Sequence, residues 1–188
     1  MLGELAICVG LLCERAPSAW AQAGVTAQRE SEIAPFAQLA AARPQHGQTA
    51  NLGYAAGIAA TPWIFHWVQP ALEIRITGDS GPLAHEYTYA GGLKAATAFR
   101  NVHPYATLLK GLAAIYFTYP TSGAKGLYTH DSSRMFSVGG ADLDIGRTWQ
   151  MQMDYSKQYW ALYAPTLRPD AFSVGLTYRI PFRQGKMK

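Results

Sequence analysis

Hydroxyl, imidazole and carboxylate side chains stand side by side at Thr129-His130-Asp131-Ser132-Ser133. A serine becomes a nucleophile when a histidine lies within hydrogen-bond reach of its hydroxyl and an acid orients the ring. Residues this close in sequence seldom reach that geometry in an extended loop, and adjacency alone is weak grounds for a site. The segment reads as a polar loop returning to a strand. His46, His66, His85 and His103 fall at strand ends or in turns, with no metal-ligand spacing. There is no phosphate-binding glycine loop and no redox cysteine pair. The expectation is no catalytic site, no metal and no cofactor.

The remaining chemistry is charge, and its placement depends on the elements that carry it. From Ser31 onward the sequence alternates with period two, broken by turn-forming clusters. Eight stretches follow, at about 32–42, 51–63, 67–78, 85–99, 104–119, 132–145, 148–160 and 170–182. Most reach the roughly 9–11 residues that a tilted strand needs to cross a bilayer. Their connections alternate long and short. An up-and-down outer-membrane barrel has this pattern, with long joins outside and short ones in the periplasm. Both termini would then be periplasmic.

Each strand has an apolar and a polar side, because successive side chains point to opposite faces. Phe172, Val174, Leu176, Tyr178, Ile180 and Phe182 oppose Ser173, Gly175, Thr177 and Arg179. A soluble, lipocalin-like barrel would turn the apolar face inward. Two features favour lipid outside. The polar face is small or flat, rich in Gly, Ala, Ser, Thr and Gln. Aromatics also gather at both ends of the apolar faces. Phe99, Tyr105, Trp149 and Phe182 are assigned to the periplasmic belt, and Tyr54, Tyr87, Tyr89, Phe117, Tyr159 and Phe172 to the outer one. The polar face is expected to carry Glu73, Arg75, Lys94, Lys110, Asp142, Asp144, Asp154 and Arg179, four charges of each sign. Eight strands leave an interior that side chains can fill. Buried charges must be paired there, so the set reads as a plug. Lys157 shares the outward parity and is expected to snorkel toward outer headgroups, where lipid phosphates would meet it. The alternative is a bulge that turns it inward toward Asp142.

Composition agrees with a membrane barrel. Charged residues are only 15% of the 188, thin for a soluble domain, where about 25% is usual. No apolar run is long enough for a transmembrane helix, and a closed barrel is the other way to pair every backbone group in lipid. The basic residues are scattered, which argues against nucleic acid as a partner. Residues 5–13 form a short apolar core followed by Ala19-Trp20-Ala21, so residues 1–21 read as a signal peptide, with a second cleavage option after residue 23. Residues 22–30 would be a short periplasmic segment, 31–182 the barrel and 183–188 a basic tail. Cys8 and Cys13 both lie in the leader, leaving the exported part free of thiols.

The final strand carries the most specific signal. Ser173, Gly175, Tyr178 and Ile180 fall in the order polar, glycine, aromatic, hydrophobic. In this and in its overall pattern the chain resembles the small OmpA/OmpX-type outer-membrane β-barrels, over residues 31–182. The resemblance implies an eight-stranded antiparallel up-and-down transmembrane barrel, inserted by the barrel-assembly machinery through that C-terminal signal. It implies contact with outer-membrane lipid and lipopolysaccharide, loops open to an unknown surface ligand, and a monomer. Pro181 and the tail beyond Phe182 depart from members that end on the aromatic. The function expected is structural or interactive. Some small barrels modify lipid A with a His and a Ser near the outer rim, and that enzyme class is the alternative.

Overall fold

Alternation, β-branched and aromatic residues, and glycine- or proline-bearing breaks dictate strands, and strands are what form. The computed structural model describes residues 31–44, 50–62, 68–82, 84–97, 99, 101–117, 128–160 and 167–182, with the side chains of 128–139 left out. The expected leader, the periplasmic segment 22–30 and the basic tail lie outside them.

The strands are β1 (Ser31–Arg43), β2 (Asn51–Thr61), β3 (Val68–Ser80), β4 (Ala84–Thr97), β5 (Val102–Phe117), β6 (Tyr128–Asp144), β7 (Trp149–Trp160) and β8 (Asp170–Tyr178), the last continued by β9 (Ile180–Phe182). Each pairs antiparallel with its successor. β1 pairs with β8 and β9 as well as β2, so the sheet closes into an eight-stranded barrel. Closure leaves no open edge to seek a partner.

The break between β8 and β9 falls at Arg179, whose N–H bonds Thr148 O at 2.7 Å in the neighbouring turn. The joins at the terminal end, where β1 begins and β9 ends, span residues 62–67, 98–101 and 145–148, and those at the opposite, loop end span 44–50, 81–83, 118–127 and 161–169. The expected alternation therefore fails at two places, because β3 and β4 run on until only residues 81–83 join them, while β2 stops short of 62–67. β6 starts at Tyr128, earlier than the sequence suggested. His130, Asp131 and Ser132 are therefore paired backbone, opposite Ala114, Ala113 and Leu112 of β5, and not loop.

Burial alternates as a barrel requires, but with the apolar residues outside. Leu39, Leu52, Ile74, Leu93 and Leu108 are all more than half exposed. Gln38, Glu73, Arg75, Gln152 and Asp154 are buried. A water-soluble protein of this size would not leave such a continuous apolar surface uncovered.

Candidate functional site

The lumen is built in three layers, set by which inward residues each strand supplies at each height. The middle layer is ionic. Arg75 on β3 donates from Nε to Glu73 Oε1 and from Nη1 to Asp154 Oδ2 on β7, both at 2.7 Å. Its guanidinium lies 5.1 Å from the Phe36 ring centroid. Tyr105 donates its hydroxyl to Asp154 Oδ2 at 3.1 Å and accepts from Gln152 Nε2 at 3.1 Å. Gln152 Oε1 in turn accepts from Thr177 on β8. Charges taken from water cost several kcal/mol each unless paired, and here one cation is shared by two carboxylates.

Toward the terminal end, Lys94 Nζ bonds Asp142 Oδ2 at 2.7 Å and lies 3.8 Å from the Tyr105 ring centroid. His103 Nε2 meets Asp144 Oδ2 at 3.1 Å, and Gln150 donates to the same carboxylate at 2.8 Å. Arg179 pairs with Glu32 of β1 and approaches Asp144. The loop end is different. Ala84, Ala113, Ile115 and Trp160 form an apolar cluster inside the barrel, with Phe117 and Leu167 packed against it. The Trp160 indole N–H is satisfied by Gln158 Oε1 at 2.8 Å, and Thr88 donates to the same oxygen.

The expected charge set is thus placed as follows. Glu73, Arg75, Lys94, Asp142, Asp144, Asp154 and Arg179 line the lumen. Lys110 does not: it is exposed on the outward face of β5. Glu32 and the buried Glu86 belong to the interior and were missed. The balance of four against four therefore fails. Carboxylates outnumber bases inside, among the described residues.

Tyr105 and Phe117 also change sides. Tyr105 is buried in the ionic layer, and Phe117 packs against the inner apolar cluster. All three corrections lie on β5 and have one cause. Leu108-Leu109 and Ala113-Ala114-Ile115 make both faces apolar, so the period-two signal vanishes and a one-residue slip inverts the strand. Tyr116, exposed and outward, takes the belt position given to Phe117.

The other girdle residues lie outward: Tyr54, Tyr87, Tyr89, Phe99, Trp149, Tyr159, Phe172 and Phe182 are all exposed. Trp149 packs on Tyr178, ring centroids 4.8 Å apart. In the C-terminal signal, Ser173 points in and donates to Gln38, while Tyr178 and Ile180 point out. Lys157 is exposed, with Nζ 6.0 Å from the Tyr155 ring centroid. The inward bulge toward Asp142 does not form: β7 keeps an unbroken register with β8 through Lys157, opposite Asp170, so Lys157 holds the outward parity. Among the described residues no cluster of His, Cys, Asp and Glu could hold a metal ion.

A closed eight-stranded barrel with apolar residues outside and a polar lumen is an arrangement also seen in solved structures. Ail, the attachment invasion locus protein of Yersinia pestis, superposes with a TM-score of 0.54 at 14% identity, over 81% of this chain and 99% of that one. Neisserial surface protein A gives 0.54 at 13%, over 80% and 97%. This is the fold of the small outer-membrane barrels. It agrees with the OmpA/OmpX-type architecture that the sequence resembles. No protein-family model matches the chain. No curated protein matches it either.

Proposed function

We propose that this chain is a structural or interaction barrel of the outer membrane, with a closed lumen and no catalytic role. The observation that supports it is the inversion of burial. Large apolar side chains cover the outside, while Arg75, Glu73 and Asp154 lock the centre of the lumen. The termini face the periplasm in this reading, and the loop end, with the long joins 118–127 and 161–169, faces outward to meet a surface partner. Lys110 and Lys157 reach the outer headgroups, where lipopolysaccharide phosphates are their counter-ions by charge attraction. The leader delivers the chain for export, and the β8–β9 signal hands it to the assembly machinery.

Cell fractionation tests the location; recovery in the soluble fraction without detergent would refute it. Reconstitution in a planar bilayer tests the plug, with no steady single-channel current expected. Lipid A from expressing cells should be unchanged, and loss or gain of an acyl chain would overturn the non-catalytic reading.

A further inference from the structure

One buried acid stands apart from the ionic layer. Glu86 of β4 points into the barrel at the loop end and is only 3% exposed. Its register partner on β5 is Ile115, and its partner on β3 is Asp79. Asp79 shares the inward parity of Glu73 and Arg75, so two carboxyl groups stand directly opposite each other. Side chains in such a pair begin about 5 Å apart at Cβ. The two carboxyls are hydrogen-bonded to each other. An ionised carboxylate can only accept, so this bond needs a proton on one of them.

Asn51 of β2 completes the arrangement. Its Nδ2 donates to Asp79 Oδ1 at 2.6 Å, and a side chain at Gly81 would collide with its carboxamide. The chain turns just above, where Gly81 N–H bonds Ala84 O at 3.1 Å. Three residues thus tie the ends of β2, β3 and β4 beneath the turn 81–83. Among the described residues no base faces the pair from the lumen. Arg75, two inward positions below Asp79, is held by Glu73 and Asp154. The inward neighbours Thr88, Gln158 and Trp160 are neutral. His85 acts on Asp79 from the outward face, where its Nδ1 meets Ser80 Oγ and its ring stacks on Tyr116.

Asp79 stands eleven residues beyond Val68, the first residue of β3. At about 3.3 Å per residue and a tilt of about 40°, that is roughly 28 Å, above an apolar band of about 25 Å. The pair therefore lies outside the hydrocarbon, where protons arrive from solution. Burial, and then the facing Asp79 carboxyl, hold Glu86 above the usual carboxylate range. The folded rim keeps a proton that the unfolded chain has lost. The stability this lends is full in acid and falls as pH rises from the ordinary range through the raised one.

We propose that Asp79 and Glu86 share one proton that serves as a pH-sensitive clasp on the loop-end rim: while it is held, the β3–β4 turn stays closed against β2, and when it passes to water the two carboxylates repel and the turn opens. The surface presented at this end changes with the pH of the solution it faces.

The test is carboxyl ¹³C NMR of the folded protein in lipid nanodiscs across pH, with a nitroxide at Pro82→Cys reading the turn; residues 31–182 hold no other cysteine. Asp79 and Glu86 should titrate together in two steps at least about one pH unit apart, with the label gaining mobility at the upper step. Glu86→Gln keeps a donor for Asp79, so Asp79 should show one step and the label should stay immobile throughout. Asp79→Asn should likewise leave Glu86 with a single step, which keeps the test open if the first variant fails to fold. Two independent titrations in the ordinary carboxylate range overturn the shared proton. A label whose mobility ignores the upper step, or follows pH equally in Glu86→Gln, overturns the clasp.

Discussion

Lys110 offers a way to measure where the lipid ends. It stands eight residues beyond Val102, the first residue of β5, on the outward face between Leu108 and Leu112. With about 3.3 Å of rise per residue and a tilt of about 40°, its Cα lies roughly 20 Å above the start of the strand. The apolar band of such a barrel is about 25 Å tall. About 5 Å remain, which a lysine stem can span while its ammonium rests among headgroups. Lys157 stands the same eight residues beyond Trp149, the first residue of β7, so both lysines reach the same level. A charge on the lipid face costs about 2–4 kcal/mol at mid-plane and falls to about 0–1 near the interface. Lys110→Leu should therefore change the unfolding free energy by less than about 1 kcal/mol. Leu108→Lys moves the charge two residues deeper, nearly to mid-plane, and should cost at least about 2 kcal/mol. The assay is reversible denaturant unfolding in lipid vesicles. If Lys110→Leu stabilised the barrel by about 2–4 kcal/mol, the lysine would be buried in hydrocarbon and the height argument would be wrong.

Three further outcomes follow from named contacts. Leu176→Arg puts a charge on the lipid face six residues short of Phe182, near mid-span, and should destabilise by about 2–4 kcal/mol in the same vesicle assay. Arg75→Met leaves Glu73 and Asp154 buried without their shared cation and should cost about 3–5 kcal/mol, whereas adding Glu73→Gln and Asp154→Asn should recover part of it. Gly140→Ala would set a Cβ 2.3 Å from Tyr105 Cε2, so the ring must move off Asp154. About 1–3 kcal/mol of overpacking is expected, relieved in a Tyr105→Leu background; an additive double mutant would show that the two positions do not touch.

The barrel was legible because its signal is periodic and repeated. On β7 and β8 the faces are chemically distinct, so each polar residue confirmed the register of its neighbours. β5 shows where that reading stops. With leucine or alanine on both sides, nothing in the local pattern says whether Leu108 or Leu109 faces lipid, and the choice is made by partners far away in the chain. Tyr105 turns inward because Asp154 and Gln152 of β7 wait for its hydroxyl and because Gly140 of β6 leaves space for its ring. None of those residues is near it in sequence.

The same strand then fixes what the lumen can do. Once its odd-numbered residues face in, His103 joins the charges of the terminal end, Tyr105 the ionic layer, and Ala113 with Ile115 the apolar cluster. Had β5 lain the other way round, Lys110 would have entered the lumen and Ile115 would have left the apolar cluster around Trp160. The sidedness of the interior is thus set by one strand whose own sequence is ambiguous, and resolved by the charges on the strands across from it.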